Sequence, residues 1–183
     1  RRVGHAGTLD PMATGVLVLG VEKGTKLLGH LTLTEKTYEA TIRLGLTTNT
    51  DDAEGEPGER VDAGGISDED VHAAVVKLTG PIAQVPPQVS AIKVDGKRAY
   101  KSAREGKEVE LKAREVTVGR FDVTTIRRVQ APDGVFVDVD ATISCSSGTY
   151  IRSLARDMGV DLGTGWHLTA LRRTRVGPYD LSA

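Results

Sequence analysis

Apolar and polar residues alternate along much of the chain. Every second position is apolar in residues 38–44 and again in residues 135–145. Because successive side chains of a strand point to opposite faces, both stretches predict strands with one buried face. The turn residues Pro132-Asp133-Gly134 connect the second stretch to residues 116–126, so we predict an antiparallel pair there.

Three further stretches have the spacing of regular elements. Residues 16–21 form a short apolar run typical of a buried strand, and residues 168–176 mix apolar with basic side chains in a predicted strand. Ser67 and Asp70 have the spacing of a helix cap and precede apolar residues three or four positions apart. This pattern predicts an amphipathic helix that ends near Gly80-Pro81.

A second helix is predicted towards the end of the chain. It begins near Tyr150 and Arg152, has Gly159 available to close it, and repeats apolar residues at Ile151, Leu154, Ala155 and Met158. Strands outnumber helices and lie in runs along the chain. We therefore predict an α+β fold with a mixed, mainly antiparallel sheet and flanking helices.

The composition is typical of a globular protein. The chain has 183 residues, of which 39% are hydrophobic and 27% charged, which suits a single domain. No apolar run approaches the roughly 18 residues of a membrane span and no leader pattern is found, so we expect a cytoplasmic protein. The only cysteine, Cys145, follows the alternating strand pattern and is expected to be buried.

Charge is unevenly distributed although the formal net charge is only −1. Residues 47–70 contain nine carboxylates and one arginine among glycine and proline, which predicts a solvated loop leading into a helix. In residues 93–114, eight basic residues outnumber four acidic ones. This basic segment predicts either a solvated face with internal ion pairs or a surface that faces phosphates.

One aspartate lies in a loop rich in glycine. Asp10 precedes Pro11, which disfavours helical backbone at Asp10, while Gly7 and Gly15 permit turns that other residues resist. Such a loop can direct a single carboxylate into a cleft, where it would serve in catalysis. The same pattern is also typical of an ordinary turn before a strand.

The loop sequence resembles the signature of the bacterial tRNA pseudouridine synthase B family. It reads Gly4-His5-Ala6-Gly7-Thr8-Leu9-Asp10-Pro11-Met12-Ala13-Thr14-Gly15. Further similar blocks lie along nearly the whole chain, at Lys36-Thr37-Tyr38-Glu39-Ala40, Pro86-Pro87 with Ser90-Ala91 and Lys93, Cys145-Ser146 with Gly148-Thr149-Tyr150-Ile151-Arg152, and Leu171-Arg172-Arg173-Thr174. The resemblance implies the pseudouridine synthase fold and isomerisation of uridine 55 in the tRNA T loop, by a monomer without cofactor or metal.

The resemblance also implies a domain organisation. Residues 1–183 correspond to the family's catalytic domain, and residues 86–112 to an insertion that closes over the RNA. Within this insertion, Lys93, Arg98 and Tyr100 are implied to grip the T stem-loop. The family also has an N-terminal strand region and a C-terminal RNA-binding domain of the PUA type, and we expect both to be absent from this chain.

Three residues are implied to act in catalysis. Asp10 matches the family's catalytic aspartate, although attack on the sugar, attack on the uracil ring and removal of a ribose proton all stay open as its role. Arg152 matches the arginine that pairs with this aspartate, and its permanent charge would keep the carboxylate ionised in a dry pocket. Tyr150 would shape the pocket or move the C5 proton.

Three more residues are implied to bind the substrate. The target base must leave its stack, and Tyr38 matches the aromatic residue that stacks on the extruded uracil. Leu171 matches an apolar position that lines the uracil pocket, and His5 a histidine that lies against the displaced nucleotides. Taken alone, these residues are typical of a core tyrosine, a core leucine and a turn histidine.

Other functions fit parts of the sequence. A noncatalytic RNA-binding or folding module would use the basic segment without needing Asp10. A hydrolase acting on a nucleoside or sugar would need a second acid/base carboxylate, for which there is no matching motif. A synthase that depends on guide RNA shares the Leu-Asp-Pro core, but Ala13-Thr14 and residues 86–100 favour the stand-alone type. His30, His72 and His167 lack the spacing of metal ligands.

Overall fold

The computed structural model describes residues 1–88 and 111–182, together with the short strands at 93–94 and 97–98. In this part of the chain the β-strands are β1 (Val3–His5), β2 (Thr14–Gly15), β3 (Leu19–Val21), β4 (Lys36–Leu44), β5 (Leu46–Thr48), β6 (Pro57–Arg60), β7 (Gly80–Gln84), β8 (Lys93–Val94), β9 (Lys97–Arg98), β10 (Arg114–Ala131), β11 (Gly134–Cys145), β12 (Trp166–Val176) and β13 (Tyr179–Asp180). The α-helices are α1 (Leu28–Thr32), α2 (Asp68–Lys77) and α3 (Ile151–Asp161), and a 3₁₀ helix covers Glu22–Leu27.

One large sheet organises the described residues. Its strands lie in the order β13-β12-β4-β11-β10-β7, and neighbours along this order are antiparallel. The short strand β2 pairs with β12 in parallel, so that Thr14 and Gly15 lie opposite Arg172 and Arg173. The predicted α+β fold with a mixed, mainly antiparallel sheet is therefore confirmed.

The hydrophobic core lies between this sheet and the helices α2 and α3. β4 and β11 contribute apolar residues at alternate positions, as their period of two predicts. Leu154 and Met158 of α3 are fully buried in the same cluster. Burial of a side chain of this size contributes about 1.5–3 kcal/mol to the stability of the fold. The core therefore fixes α3, which carries Arg152, against β4 and β12.

Residues 16–21 do not form the buried strand that their apolar run predicts. Only Leu19–Val21 is a strand, and it pairs with β1 in a separate two-stranded sheet. Gly20 is covered by the Leu28 side chain, whereas Leu19 and Val21 are exposed. The prediction was wrong because a single short helical segment covers only one face of this two-stranded ribbon, and the other face stays exposed.

Both predicted helices form, but their C-terminal ends differ from the prediction. The capping box of α2 is present, since Asp70 N–H donates to Ser67 Oγ at 3.1 Å and Ser67 N–H donates to the Asp70 carboxylate at 3.0 Å. This helix ends at Lys77, before Gly80 begins β7. α3 continues past Gly159, where an added Cβ would lie 2.7 Å from the Trp166 ring. Gly159 therefore allows close packing and does not end the helix.

The acidic residues 47–70 are more ordered than a solvated loop. The strands β5 and β6 pair within this segment, and the buried Asp52 carboxylate accepts from Thr50 Oγ1 at 2.6 Å and from Glu54 N–H at 3.0 Å. Asp51 has a φ of 61°, and its carboxylate accepts from Trp166 Nε1 at 2.8 Å. The predicted helix does follow this segment and most of its carboxylates are exposed. The prediction failed only for Asp51 and Asp52, whose carboxylates bond to β12 and to the turn itself.

Cys145 is buried at the end of β11, as predicted. Burial raises the pKa of its thiol to about 11, so the thiolate is scarce near neutral pH. Among the helices of the described residues, none is long and apolar enough to cross a membrane.

Candidate active site

A tight turn presents Asp10 in the loop between β1 and β2. The Ala13 N–H donates to the Asp10 carbonyl oxygen at 2.9 Å, and Pro11 occupies the second position of this turn, where its fixed φ fits. The Asp10 side chain is 26% exposed. The loop therefore holds this carboxylate at the edge of the protein interior, accessible to a bound molecule.

Arg152 faces Asp10 from the first turn of α3. Its Nε donates to Asp10 Oδ2 at 2.9 Å, and its Nη2 donates to Oδ1 at 3.3 Å. The third nitrogen, Nη1, donates to the Thr50 carbonyl oxygen at 3.1 Å. Because a guanidinium is planar, these three contacts fix its position and the orientation of the carboxylate plane. The predicted ion pair between Arg152 and Asp10 is thus present.

A buried glutamine fixes the start of α3. Gln84 Nε2 donates to the Tyr150 carbonyl oxygen at 3.1 Å, and Tyr150 N–H donates to Gln84 Oε1 at 2.8 Å. Tyr150 caps the helix with extended backbone, and its side chain is partly buried. The end of β7 thereby holds Tyr150 and, two residues further on, Arg152 relative to the sheet.

Two buried, largely apolar side chains lie on β4 and β12, and β2, at the end of the Asp10 loop, pairs with β12. Tyr38 on β4 and Leu171 on β12 are almost fully buried, at 8% and 6% exposure. Met12 and Ala13, which follow Asp10 in the loop, pack against the same core cluster. Burial raises the pKa of Tyr38 to about 12, so its phenol is neutral throughout the physiological range. The site therefore combines one carboxylate with a neutral aromatic side chain on β4.

The described residues leave the roles of four other predicted residues open. His5 is exposed on β1, opposite Leu19. Lys93 and Arg98 face each other in the β8–β9 hairpin, but their side chains lie outside the described residues. Tyr100 also lies outside them. Contacts of these residues with RNA therefore stay predictions.

Sequence reasoning missed Arg173, which is fully buried on β12. Its Nε donates to the Val16 carbonyl oxygen at 2.9 Å, and its Nη1 and Nη2 donate to the carbonyl oxygens of Thr8 and Gly7 at 3.3 Å each. Gly7 and Thr8 belong to the loop that carries Asp10, and Val16 directly follows β2 at the end of that loop. A signal was present in the sequence, because Arg173 is two residues from the inward-facing Leu171 and therefore shares its side of the strand.

This arrangement suits chemistry at an electron-deficient carbon. A carboxylate whose orientation is fixed by an arginine can stabilise positive charge or form a covalent bond, and a neutral aromatic side chain can stack on a flat ring. In the described part of the chain, no group of three or more histidine, cysteine, aspartate or glutamate side chains is placed to hold a metal ion.

Comparison with known protein families matches the chain to two family models, which meet between residues 151 and 152. The model described as "TruB family pseudouridylate synthase (N terminal domain)" matches residues 1–151. The model described as "tRNA pseudouridylate synthase B C-terminal domain" matches residues 152–183. Asp10 therefore lies in the first matched segment and Arg152 in the second. The two segments share one sheet, because β12 pairs with β4.

Individual proteins agree with the family models. The tRNA pseudouridine synthase B of Thermobifida fusca (strain YX) is 73% identical over 179 residues, which cover 98% of this chain and 61% of that protein. The tRNA pseudouridine synthase B of Streptomyces avermitilis is 65% identical over 184 residues, covering 100% of this chain and 61% of that protein. The chain thus spans about three fifths of the length of these relatives.

Solved structures of ribonucleoprotein complexes share the fold. One, described as "Structure of H/ACA RNP bound to a substrate RNA containing 2'-deoxyuridine", matches with a TM-score of 0.66 and 26% identity over 99% of this chain and 40% of that chain. Another, described as "Crystal Structure of a Cbf5-Nop10-Gar1 Complex", matches with a TM-score of 0.64 and 28% identity over 99% of this chain and 42% of that chain. Sequence and fold agree, and the chain belongs to the TruB family of pseudouridylate synthases.

Proposed function

We propose that this protein isomerises uridine 55 in the T loop of tRNA to pseudouridine. The observation that carries the proposal is the two-point ion pair of Asp10 and Arg152, formed by segments that match the two TruB family models. The relatives from Thermobifida fusca and Streptomyces avermitilis are named tRNA pseudouridine synthase B, which supports tRNA as the substrate. The ribonucleoprotein structures are much less similar in sequence, which favours a stand-alone enzyme over one that depends on a guide RNA.

The reaction rearranges bonds without a net change in atoms. The bond between N1 of uracil and C1′ of ribose breaks, and a bond between C5 and C1′ forms. One proton leaves C5 and one is taken up at N1. Because C1′ becomes electron-deficient when the first bond breaks, a carboxylate beside it stabilises the sugar or bonds to it. We assign this role to Asp10.

Arg152 holds the Asp10 carboxylate in one orientation in this proposal. Its own position is fixed by the Thr50 carbonyl oxygen and by the buried start of α3. A carboxylate held in one orientation needs little rearrangement when charge develops at C1′. The ion pair therefore contributes to the transition state more than to RNA binding.

The buried side chains of Tyr38 and Leu171 would receive the extruded base. Leaving the stack costs a base on the order of a few kcal/mol, and contact with a flat side chain offsets part of this cost. We assign stacking to Tyr38 and lining of the uracil pocket to Leu171. Tyr38 is not the base that removes the C5 proton, because its pKa is raised to about 12 by burial. We assign that transfer to Tyr150.

The RNA outside the active site would be bound by segments that are basic or exposed. His5 lies on the exposed face of β1, where displaced nucleotides can reach it. Lys93, Arg98 and Tyr100 belong to the basic segment and are proposed to grip the T stem-loop. We further propose that the protein acts as a monomer, since both partners of the catalytic ion pair come from one chain. We also propose that it acts in the cytoplasm, because the proposed substrate is tRNA.

The proposal is tested by incubating the purified protein with a T-arm transcript that carries uridine at position 55. A transcript with cytidine at that position serves as the control. We expect pseudouridine in the first transcript, no modification in the second and no free uracil. Release of uracil would indicate a hydrolase instead. Binding without any product would indicate a noncatalytic RNA-binding module.

A further inference from the structure

We propose that Arg173 is a positioning residue that holds the Asp10 loop in its reactive geometry. The inference rests on the proposed function for its consequence in catalysis, but its structural basis is independent of that function. Arg173 is fully buried, and it forms no salt bridge with any carboxylate in the described part of the chain. A buried charge is costly unless hydrogen bonds stabilise it, and here backbone carbonyl oxygens of the loop do so.

The contacts of Arg173 reach both ends of the loop. Its side chain binds the carbonyl oxygens of Gly7 and Thr8, which precede Asp10 by three and two residues. Its Nε binds the Val16 carbonyl oxygen on the other side of Asp10. The Val16 N–H in turn donates to the Arg173 carbonyl oxygen at 2.8 Å. One residue thereby closes the loop at both ends, with Asp10 between them.

Close packing of β2 on β12 also holds the end of the loop against the Arg173 backbone. Gly15 lies opposite Arg173 in the parallel pair of β2 with β12. A Cβ on Gly15 would lie 2.0 Å from the Arg173 carbonyl oxygen, so the two backbones are in direct contact. The guanidinium also lies beside the Tyr38 side chain. Arg173 therefore connects the loop of Asp10 to the side chain that we assign to stacking on the uracil.

Lysine cannot replace this arginine, because a single ammonium lacks the planar fork that reaches three separated carbonyl oxygens. We expect Arg173→Lys to lower the single-turnover rate of pseudouridine formation by about 100-fold, the loss typical of a misplacement near 1 Å. The Kd for the T-arm transcript should stay within about three-fold, since Arg173 is fully buried and the residues proposed to grip the T stem-loop lie in the basic segment. Arg175→Lys is the matched control, because Arg175 lies two residues along β12 and pairs with Glu35 away from the loop.

Hydrogen exchange separates this inference from the proposed function. In the protein without RNA, Arg173→Lys should accelerate amide exchange in residues 7–16 and leave residues 134–145 of β11 unchanged. If the parent protein makes no pseudouridine, the proposed function fails while this exchange measurement still tests Arg173. If the parent is active and Arg173→Lys matches Arg175→Lys in both rate and exchange, the inference is overturned.

A second variant tests the contact without altering any side chain. An ester in place of the amide between Thr8 and Leu9 weakens the Thr8 carbonyl oxygen as an acceptor. Loss of about 1 kcal/mol from one such hydrogen bond corresponds to roughly a five-fold lower rate if the loop must be held for the reaction. The same rate as the parent protein would contradict the proposal, even if Arg173→Lys does not fold.

Discussion

Asp10 and Arg152 are separated by 142 residues and meet in a two-point ion pair, with N–O distances of 2.9 and 3.3 Å. Each partner is held by a different part of the sheet. Asp10 belongs to a loop that leads into β2, which pairs with β12. Arg152 belongs to α3, and Gln84 of β7 holds the start of this helix through two hydrogen bonds to the Tyr150 backbone. The fold therefore brings the two groups together before any substrate binds.

Arg152→Met should reduce catalysis much more than RNA binding. The variant removes the charge and the fork that orient Asp10, and loss of a preorganised electrostatic group lowers rates by about 10²–10³-fold. Single-turnover formation of pseudouridine measures the rate, and titration with a T-arm transcript measures binding.

The control for this substitution is Arg156→Met, one turn further along α3. Arg156 donates to Asp157 and to the Val85 carbonyl oxygen and does not contact Asp10. Arg156→Met should leave the rate within a few-fold of the parent rate, an effect about the size expected for a substitution away from the active site. Equal rates for Arg152→Met and Arg156→Met would show that the ion pair has no part in the reaction.

Tyr38→Phe should change how stability depends on pH above about pH 10. The folded pKa of Tyr38, about 12, lies above the ordinary phenol value near 10. Stability from the neutral phenol is therefore fully present below about pH 10 and is lost as the pH rises towards 12, by about 1.4 kcal/mol per pH unit. Urea unfolding at several pH values measures this loss. Tyr38→Phe should lack it, and parallel curves for the two proteins would contradict the assignment.

Cys145 should be unreactive in the folded protein. Its thiol is buried, and burial raises its pKa to about 11. We expect a disulfide reagent at about pH 8 to modify it slowly in buffer and rapidly in guanidinium chloride, where the thiol regains an ordinary pKa near 8.5. Cys145 is the only cysteine, so a single reagent titration reports on it. Rapid reaction in buffer would show that the Cys145 thiol is accessible to the reagent in the folded protein.

Gly15→Ala should destabilise the fold. Gly15 has a φ of 104°, and an added Cβ would lie 2.0 Å from the Arg173 carbonyl oxygen. Backbone strain together with the backbone clash should cost about 2–4 kcal/mol of the free energy of unfolding. Gly65→Ala is the matched control, since no atom lies within 4 Å of its added Cβ. Equal urea midpoints for both variants would mean that β2 is not closely packed on β12.

The regular elements could be predicted from local patterns. The period of two in residues 38–44 and 135–145 identified β4 and β11, and the capping residues Ser67 and Asp70 identified the start of α2. These patterns report directly on which side chains face the core. The apolar run in residues 16–21 gave a wrong prediction, because such a run is buried only if another layer of the protein covers it.

The site was less accessible to sequence reasoning than the fold. Spacing alone did not decide whether Asp10 serves in catalysis or only belongs to an ordinary turn. Its pairing with Arg152 was implied only by the family resemblance. Thr50 holds Arg152 through its backbone carbonyl oxygen. Every residue has such an oxygen, so the sequence cannot indicate this contact. Arg173 was missed because charged residues are usually exposed, and only its position on the inward side of β12 indicates otherwise.

Asp10→Asn tests the central claim most directly, because it keeps the size of the side chain and removes its charge. The measurement is single-turnover formation of pseudouridine in a T-arm transcript, together with the Kd for that transcript. Asp161→Asn is the control, since Asp161 pairs with Lys77 at the other end of α3. We predict no detectable product for Asp10→Asn and a Kd within about three-fold of the parent, because the residues proposed to grip the T stem-loop lie in the basic segment and not in the Asp10 loop. Product formation at the parent rate would contradict the account.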